Sequence, residues 1–266
     1  MKTKNKIWVV TGAGSGIGRE LTLQLVAKGA KVAMLDLNKQ GMEETAELTG
    51  KNNVSIHQIN IADKLSIDHL IEELIKQYGA IDGLINNAGI IQPFVAVNDL
   101  SYEKIEQIIN VNFYGTVYLT KGFLQHFLGR PEAHIVNISS MGGYIPFPGQ
   151  TMYSASKAAV KILTEGLYAE LKDTSVRVTV VHPGAIATNI TSNSGMEPPK
   201  VDPNTNKAAM QAMPAQDAAK IIIEGIEKDK FRVLVGQDAK FLDTFYRINP
   251  RRAVEFIVKK MRKMLK

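Results

Sequence analysis

The sequence predicts an α/β fold, a doubly wound parallel β-sheet of about seven strands flanked by helices on both faces. Two patterns carry that expectation. Short β-rich apolar runs alternate with longer amphipathic stretches from the first residues to about residue 180, the rhythm of strand and crossover helix that builds a parallel sheet. The strand runs are continuous in Val and Ile rather than alternating with polar residues, as a sheet buried on both sides requires.

The first strand is assigned to Ile7 to Val10. The preceding MKTKNK has the basic flank of a secretory signal, but the apolar run is too short for one and opens into a glycine-rich turn. Further strands are expected at Lys31 to Asp36, Val54 to Asn60, Gly83 to Asn86, His134 to Ser139 and Arg177 to His182, with a seventh at Phe231 to Val235. Between them, helical spacing predicts helices over Ile17 to Lys28, Gln40 to Thr49, Ser66 to Tyr78, Tyr102 to Leu128 and Tyr153 to Lys172. Asp63 is placed to cap the third of these.

No repeat, low-complexity tract or linker interrupts this series, so residues 1–239 read as one domain. Within it, Asn189 to Pro214 is rich in Pro, Asn and Met and has no clear period. An irregular insert of that length in an α/β domain reads as a lid over a ligand site. Residues 240–266 read as a basic amphipathic helical extension, with Pro250 near a helix N-terminus and Val254, Ile257, Val258, Met261 and Leu265 on one stripe. Such a helix suits either an anionic membrane surface or packing on a neighbouring subunit or the lid.

Charge is distributed in the same way. From Lys240 onward nine Lys/Arg stand against Asp243 and Glu255, a net +7, so the other 239 residues of a +6 chain sum to about −1. A basic nucleic-acid groove across the body is therefore not expected. With no cysteine, disulfides, zinc-thiolate sites and thiol nucleophiles are excluded, which fits a cytoplasmic protein. No run approaches the roughly 20 apolar residues of a membrane span. The histidines at 57, 69, 126, 134 and 182 have no metal-binding spacing, and no metal is expected.

The chemistry sits in a few short motifs. After the first strand comes Thr11-Gly12-Ala13-Gly14-Ser15-Gly16-Ile17-Gly18 and then a helix. Glycines there let backbone approach a pyrophosphate, and the amides of a helix N-terminus favour negative charge. Asp36 ends the second strand, where a carboxylate accepts hydrogen bonds from ribose hydroxyls and repels a 2′-phosphate. That favours NAD over NADP, with Lys39 the one nearby cation. YSASK, residues 153 to 157, reads either as Ser154-x-x-Lys157, an acyl-transfer pair, or as Tyr153-x-x-x-Lys157. The companions of the acyl-transfer reading, S-D-N and K-T-G, are missing, and so is a G-x-S-x-G elbow. Tyr153 and Lys157 are four apart on one helix face. An ammonium beside a phenol favours the phenolate, so the pair is expected to supply a proton donor or acceptor for an alcohol/carbonyl couple.

Gly12, Gly16 and Gly18, Asp36, Asn86-Asn87-Ala88-Gly89 and Tyr153-x-x-x-Lys157, in this order, resemble the short-chain dehydrogenase/reductase family over residues 5–236. The resemblance implies a Rossmann-like fold and an alcohol dehydrogenase or carbonyl reductase. It implies Tyr153 as general acid/base and Lys157 as the group that lowers its pKa and binds the nicotinamide ribose. Ser140, 13 residues before Tyr153, matches the substrate-orienting serine, with Ser139 facing away from it, and Asn112 matches an asparagine supporting a proton relay. Ser15 and Ile17 fall in the phosphate loop, and Asn87, Ala88 and Gly89 in a cofactor-lining turn. Pro183, Gly184, Ile186 and Thr188 match the segment that holds the carboxamide. Asn60 and Ile61 stand where the family commonly has Asp-Val against adenine. Homodimers or homotetramers are implied as well.

The substrate border is expected at Ile90, Ile91, Pro93 and Phe94, at Tyr144 to Pro148, and at Met196, Met210 and Met213. With no arginine clamp among them, a lipophilic secondary alcohol or ketone of the kind handled in lipid metabolism is expected. The alternatives are an isomerase or dehydratase that retains NAD, and a catalytically idle NAD-binding sensor or peripheral membrane scaffold.

Overall fold

The computed structural model describes residues 1–196 and 212–261. Seven strands form one parallel sheet: β1 (Ile7–Thr11), β2 (Lys31–Asp36), β3 (Val54–Gln58), β4 (Gly83–Asn86), β5 (Ala133–Ile138), β6 (Val176–Pro183) and β9 (Arg232–Val235). A separate parallel pair, β7 (Ile186–Ala187) and β8 (Met213–Pro214), lies at the two ends of the irregular insert, which opens with the short helix α7 (Ile190–Asn193). The main sheet runs β3-β2-β1-β4-β5-β6-β9, so the winding reverses between β1 and β4. At such a reversal the carboxyl ends of the strands open a crevice, which is where open α/β sheets take ligands.

Helices α1 (Gly16–Ala27), α2 (Lys39–Leu48) and α8 (Ala215–Glu227) cover one face, and α3 (Lys64–Tyr78), α5 (Gly115–Leu128) and α6 (Thr151–Glu170) cover the other. Strand alternation divides the core. In β1, Val10 points to Leu21, Leu25 and Met42, while Val9 points to Leu74, Leu119 and Phe123. The helix starts follow from local chemistry: the Asn38 side chain accepts from Gly41 N, and Asp63 accepts from Leu65 N and Ser66 N.

The structure departs from the sequence assignment in three places. The helix expected over Tyr102 to Leu128 is interrupted: α4 (Tyr102–Ile109) passes into a π turn (Asn110–Tyr114) before α5 begins. Helix α8 supplies the crossover between β6 and β9, at a stretch to which the sequence assigned no helix.

At the C-terminus, α9 (Gln237–Ile248) precedes α10 (Pro250–Met261), so the helical tail starts ahead of residue 240. The buried positions of α10 are Ala253 and Ile257, whereas Val258 is 43% exposed. Ala253 and Ile257 pack with Leu242 and Ile145, and Tyr144, Phe245 and Phe256 close the cluster. The expected stripe is thus partly rotated: Ile257 and Met261 pack on the body as expected, Ala253 joins them, and Val258 faces outward. Among the described residues no helix is long and apolar enough to cross a membrane. Met210, Leu265 and the centre of the expected lid lie outside the described residues.

Candidate active site

The turn after β1 is built around close backbone contacts. Gly12 has φ of +68°, and a Cβ there would stand 2.8 Å from Asn87 Nδ2. At Gly18 a Cβ would collide with the Gly12 carbonyl, so the start of α1 is sealed directly under the turn. Thr11 Oγ1 accepts from Asn87 N and Ala88 N, each at 2.9 Å, and Asn87 Nδ2 donates to Thr11 O at 2.9 Å. The two strand ends that flank the winding reversal are thereby tied together.

Asp36 faces the same turn. Its Oδ2 accepts from Gly14 N and its Oδ1 from Asn38 N, both at 2.9 Å. Behind the turn, Arg19 donates to Gly14 O at 2.7 Å and pairs with Glu44 at 2.7 Å, and Thr45 Oγ1 donates to Ala13 O at 3.0 Å. These supports have no motif of their own, and the sequence gives no signal for them. Lys39 turns away toward Glu43, 3.7 Å distant.

Ser140, Tyr153 and Lys157 open onto the cleft that the glycine turn also lines. Ser140 follows β5, and its Oγ accepts from Gly142 N at 3.0 Å. Ser139, on the opposite side of the chain, donates to Lys157 O at 2.7 Å. Lys157 Nζ donates to Ile138 O at 2.9 Å, and burial lowers its pKa to about 8. Burial holds the Tyr153 phenol above its ordinary 10.0, opposed by a hydrogen bond with Ser140. That differs from the sequence expectation that Lys157 lowers Tyr153. The physical reason is that the ammonium is turned to a backbone carbonyl and burial disfavours the charged phenolate.

Asn112 is fully buried in the π turn and lines no part of the cleft. Its side chain holds both backbone groups of Ile90 and donates to Ser156 Oγ at 2.9 Å. Ser156, the second serine of YSASK, therefore ties α6 to the π turn. At Gly89 a Cβ would stand 3.1 Å from both Asn112 Oδ1 and Lys157 Nζ, so these groups converge on that glycine.

The cleft has a volume of about 970 Å³. Of the residues the sequence assigns to a cofactor, Gly12, Ser15, Gly16, Ile17, Asp36, Asn60, Ile61, Asn87, Ala88, Gly89, Pro183, Gly184, Ile186 and Thr188 line it, whereas Gly18 lies beneath the turn. Asn60 spends Oδ1 on Ala62 N at 3.0 Å.

The expected substrate border is redrawn. Ile90 and Ile91 line the cleft, but Pro93, Phe94, Tyr144 to Pro148, Met196 and Met213 do not. Tyr144 donates instead to Ala239 O at 2.7 Å, and Ile145 is fully buried against the C-terminal helices. In their place stand Glu103, Glu106, Gln107 and Asn110, with Ser192 and Asn193 opposite. In sequence these residues look like the solvent face of any amphipathic helix. The described start of the insert closes over the cleft: Asn193 Nδ2 donates to Ser15 Oγ at 2.9 Å, and Ser194 Oγ accepts from Ile91 N at 2.9 Å.

The glycine turn fits a dinucleotide. Side chains at positions 12 and 16 would project into space that Asn87, Ala88 and Thr188 already occupy, so a bare backbone faces the cleft. Lys157 is the sole cation among the described residues that line it.

Comparison with known proteins agrees with this arrangement. The family described as short chain dehydrogenase matches residues 6–198. The SadH protein of Mycobacterium tuberculosis is 36% identical over 252 residues, covering 92% of this chain and 91% of that one. A short-chain dehydrogenase/reductase from Burkholderia phymatum, solved in complex with NAD, superposes with a TM-score of 0.80 at 25% identity, covering 88% and 90% of the two chains. A short-chain dehydrogenase from Sphingobium yanoikuyae, solved with NADPH, gives a TM-score of 0.75 at 25% identity, covering 86% and 87%.

Proposed function

The chain belongs to the short-chain dehydrogenase/reductase family, and from that premise we propose that it is an NAD(H)-dependent oxidoreductase interconverting an alcohol and its carbonyl compound, a secondary alcohol with a ketone ahead of a primary alcohol with an aldehyde. The observation that carries the proposal is that Tyr153, Lys157 and Ser140 open onto one cleft together with the glycine turn and Asp36. A binding protein needs the turn and the carboxylate. It has no use for a phenol set beside a serine hydroxyl on the same cleft.

Bound along the turn, NAD supplies the hydride acceptor, and NADH the donor. Backbone amides at Ser15 to Ile17 take the pyrophosphate at the N-terminus of α1, and Asp36 takes the adenosine ribose. Ser140 Oγ hydrogen-bonds the substrate oxygen and orients it. The Tyr153 phenol gives that oxygen a proton when a carbonyl is reduced, and its phenolate takes one when an alcohol is oxidised. Lys157 would hold the nicotinamide ribose, and its positive charge on the same helix face favours the phenolate over the phenol. Asn112 keeps Ile90 in place behind the reacting groups and supports the relay that restores the proton. Exclusion of water falls to the insert, through Asn193 and Ser194.

The substrate body is assigned to the apolar wall of Ile90, Ile91, Ile186 and Ile190, which favours a lipophilic alcohol or ketone. The polar rim formed by Glu103, Glu106, Gln107 and Asn110 suits a hydroxyl or amine at its outer end. A spectrophotometric screen with NADH and NADPH over apolar and polar carbonyl compounds tests this. Turnover of apolar secondary ketones with NADH ahead of NADPH is expected. Tight NAD binding with no turnover across the panel would move the protein to a sensor role.

A further inference from the structure

The segment from Gly89 to Gln92 is fastened on three sides. Asn112 holds Ile90 through both backbone groups, and Ser194 of the insert holds Ile91 N. Gln92 then reaches the start of α6. Its Oε1 accepts from Met152 N at 2.8 Å and from Tyr153 N at 3.1 Å, and its backbone carbonyl accepts from Gln150 Nε2 at 2.7 Å. Gln150, which occupies the N-cap position of α6, makes no side-chain cap. The orphan amides of that first turn are therefore satisfied by a residue 60 and 61 positions away in the chain.

Gln92 is fully buried and lines no part of the cleft. Its Nε2 has no hydrogen-bond partner among the described residues. Burying an amide with one end unpaired costs free energy that a methionine of similar shape would avoid. A residue kept only for packing would not carry that cost. The amide is explained by what its oxygen holds, the backbone of Tyr153 itself.

We propose that Gln92 is a positioning residue for Tyr153, fixing the first turn of α6 so that the phenol meets the Ser140 side of the cleft. The role rests on the assignment of Tyr153 as the acid/base group.

Gln92→Met removes the acceptor and keeps the volume, and Gln92→Glu keeps acceptor oxygens. For Gln92→Met, kcat is expected to fall by about 10- to 100-fold, with KM for NAD(H) unchanged and the basic limb of the pH-rate profile displaced. Gln92→Glu is expected to recover most of kcat. Two readouts need no substrate: hydrogen exchange of the Met152 and Tyr153 amides, and ultraviolet titration of the Tyr153 phenol, taken as the difference from Tyr153→Phe. Both are expected to change in Gln92→Met. Unchanged exchange and titration in a folded Gln92→Met would overturn the proposal. If that variant does not fold, Gln150→Met, which releases only the Gln92 carbonyl, is expected to shift both readouts in the same direction by less, and no shift would overturn it equally. Altered titration in a protein that turns over nothing would leave Gln92 in its role and remove the oxidoreductase assignment.

Discussion

Asp36 carries two kinds of work at once. Each oxygen already accepts one backbone amide, from Gly14 and from Asn38, each has a further lone pair, and the residue lines the cleft. Asp36→Ala is therefore expected to do more than remove a ribose partner. It releases Gly14 N from the turn, so KM for NAD should rise while the preference against NADP relaxes. Hydrogen bonds to a charged group contribute about 1.5–3 kcal/mol, a change of roughly tenfold to a hundredfold in the ratio of kcat/KM for the two cofactors. Measuring that ratio in both proteins checks it. At this scale the sequence was legible wherever a residue type answers one demand: glycines where a backbone must approach, a carboxylate at the end of β2, a phenol and an ammonium four apart. Arg19, Thr45 and Gln92 were not legible. Their partners are backbone carbonyls and amides brought near by folding, and no residue spacing records such a partner.

Among the elements, the π turn and the C-terminal hairpin show where periodicity stops. Asn112 sits inside a stretch whose apolar spacing suits one long helix, and the interruption comes from a side chain bonding across to Ile90. Such local turns gather at functional sites. In α10, Val254 and Val258 compete with Ala253, Ile257 and Met261 for the apolar face, and only contact with the Leu242 and Ile145 cluster decides between them. Because Tyr144 and Ile145 are used there, the hairpin braces the loop that follows Ser140. Ile257→Ala is expected to destabilise the protein by about 2–5 kcal/mol, the range for emptying a buried aliphatic site, and to be read by thermal or denaturant unfolding. A substitution with no effect would mean that the hairpin does not pack on the body. The apolar residues left outside, Phe241, Ile248 and Val258, are what remains for a subunit or an anionic membrane. Liposome co-sedimentation and the oligomeric state in solution separate those two.

For the molecule as a whole, pH acts on stability through two buried histidines. Burial lowers His134 to about 3 and His182 to about 4, from an ordinary 6.5. His182 sits directly behind the serine loop, with Nδ1–H donating to Ser140 O at 3.1 Å. The unfolded chain takes up protons near 6.5 while the folded chain holds both rings neutral down to 4 or below. Over that window the unfolded state binds more protons, so stability is complete above about 6.5 and falls as pH drops toward 4. Calorimetry between pH 7.5 and 4 should show a steadily falling Tm, and a flat Tm would contradict the burial of these rings.

The architecture itself was open to reading, since the apolar runs of β1, β5 and β6 and the crossover helices other than α8 follow from the two periods. The substrate wall was not, because Tyr144 and Phe147 are aromatic in either role and only the fold turns them inward. The central claim is that this cleft moves a proton through Tyr153 while hydride passes to or from a nicotinamide. Its most direct test is single-turnover NADH oxidation by the wild-type protein and by Tyr153→Phe, on a carbonyl compound found in the screen, with NADH affinity measured in both. We expect the variant to bind NADH as the parent does and to lose about 10²- to 10⁴-fold in rate, the contribution of a positioned acid or base. A variant that oxidises NADH at the parental rate would contradict the account.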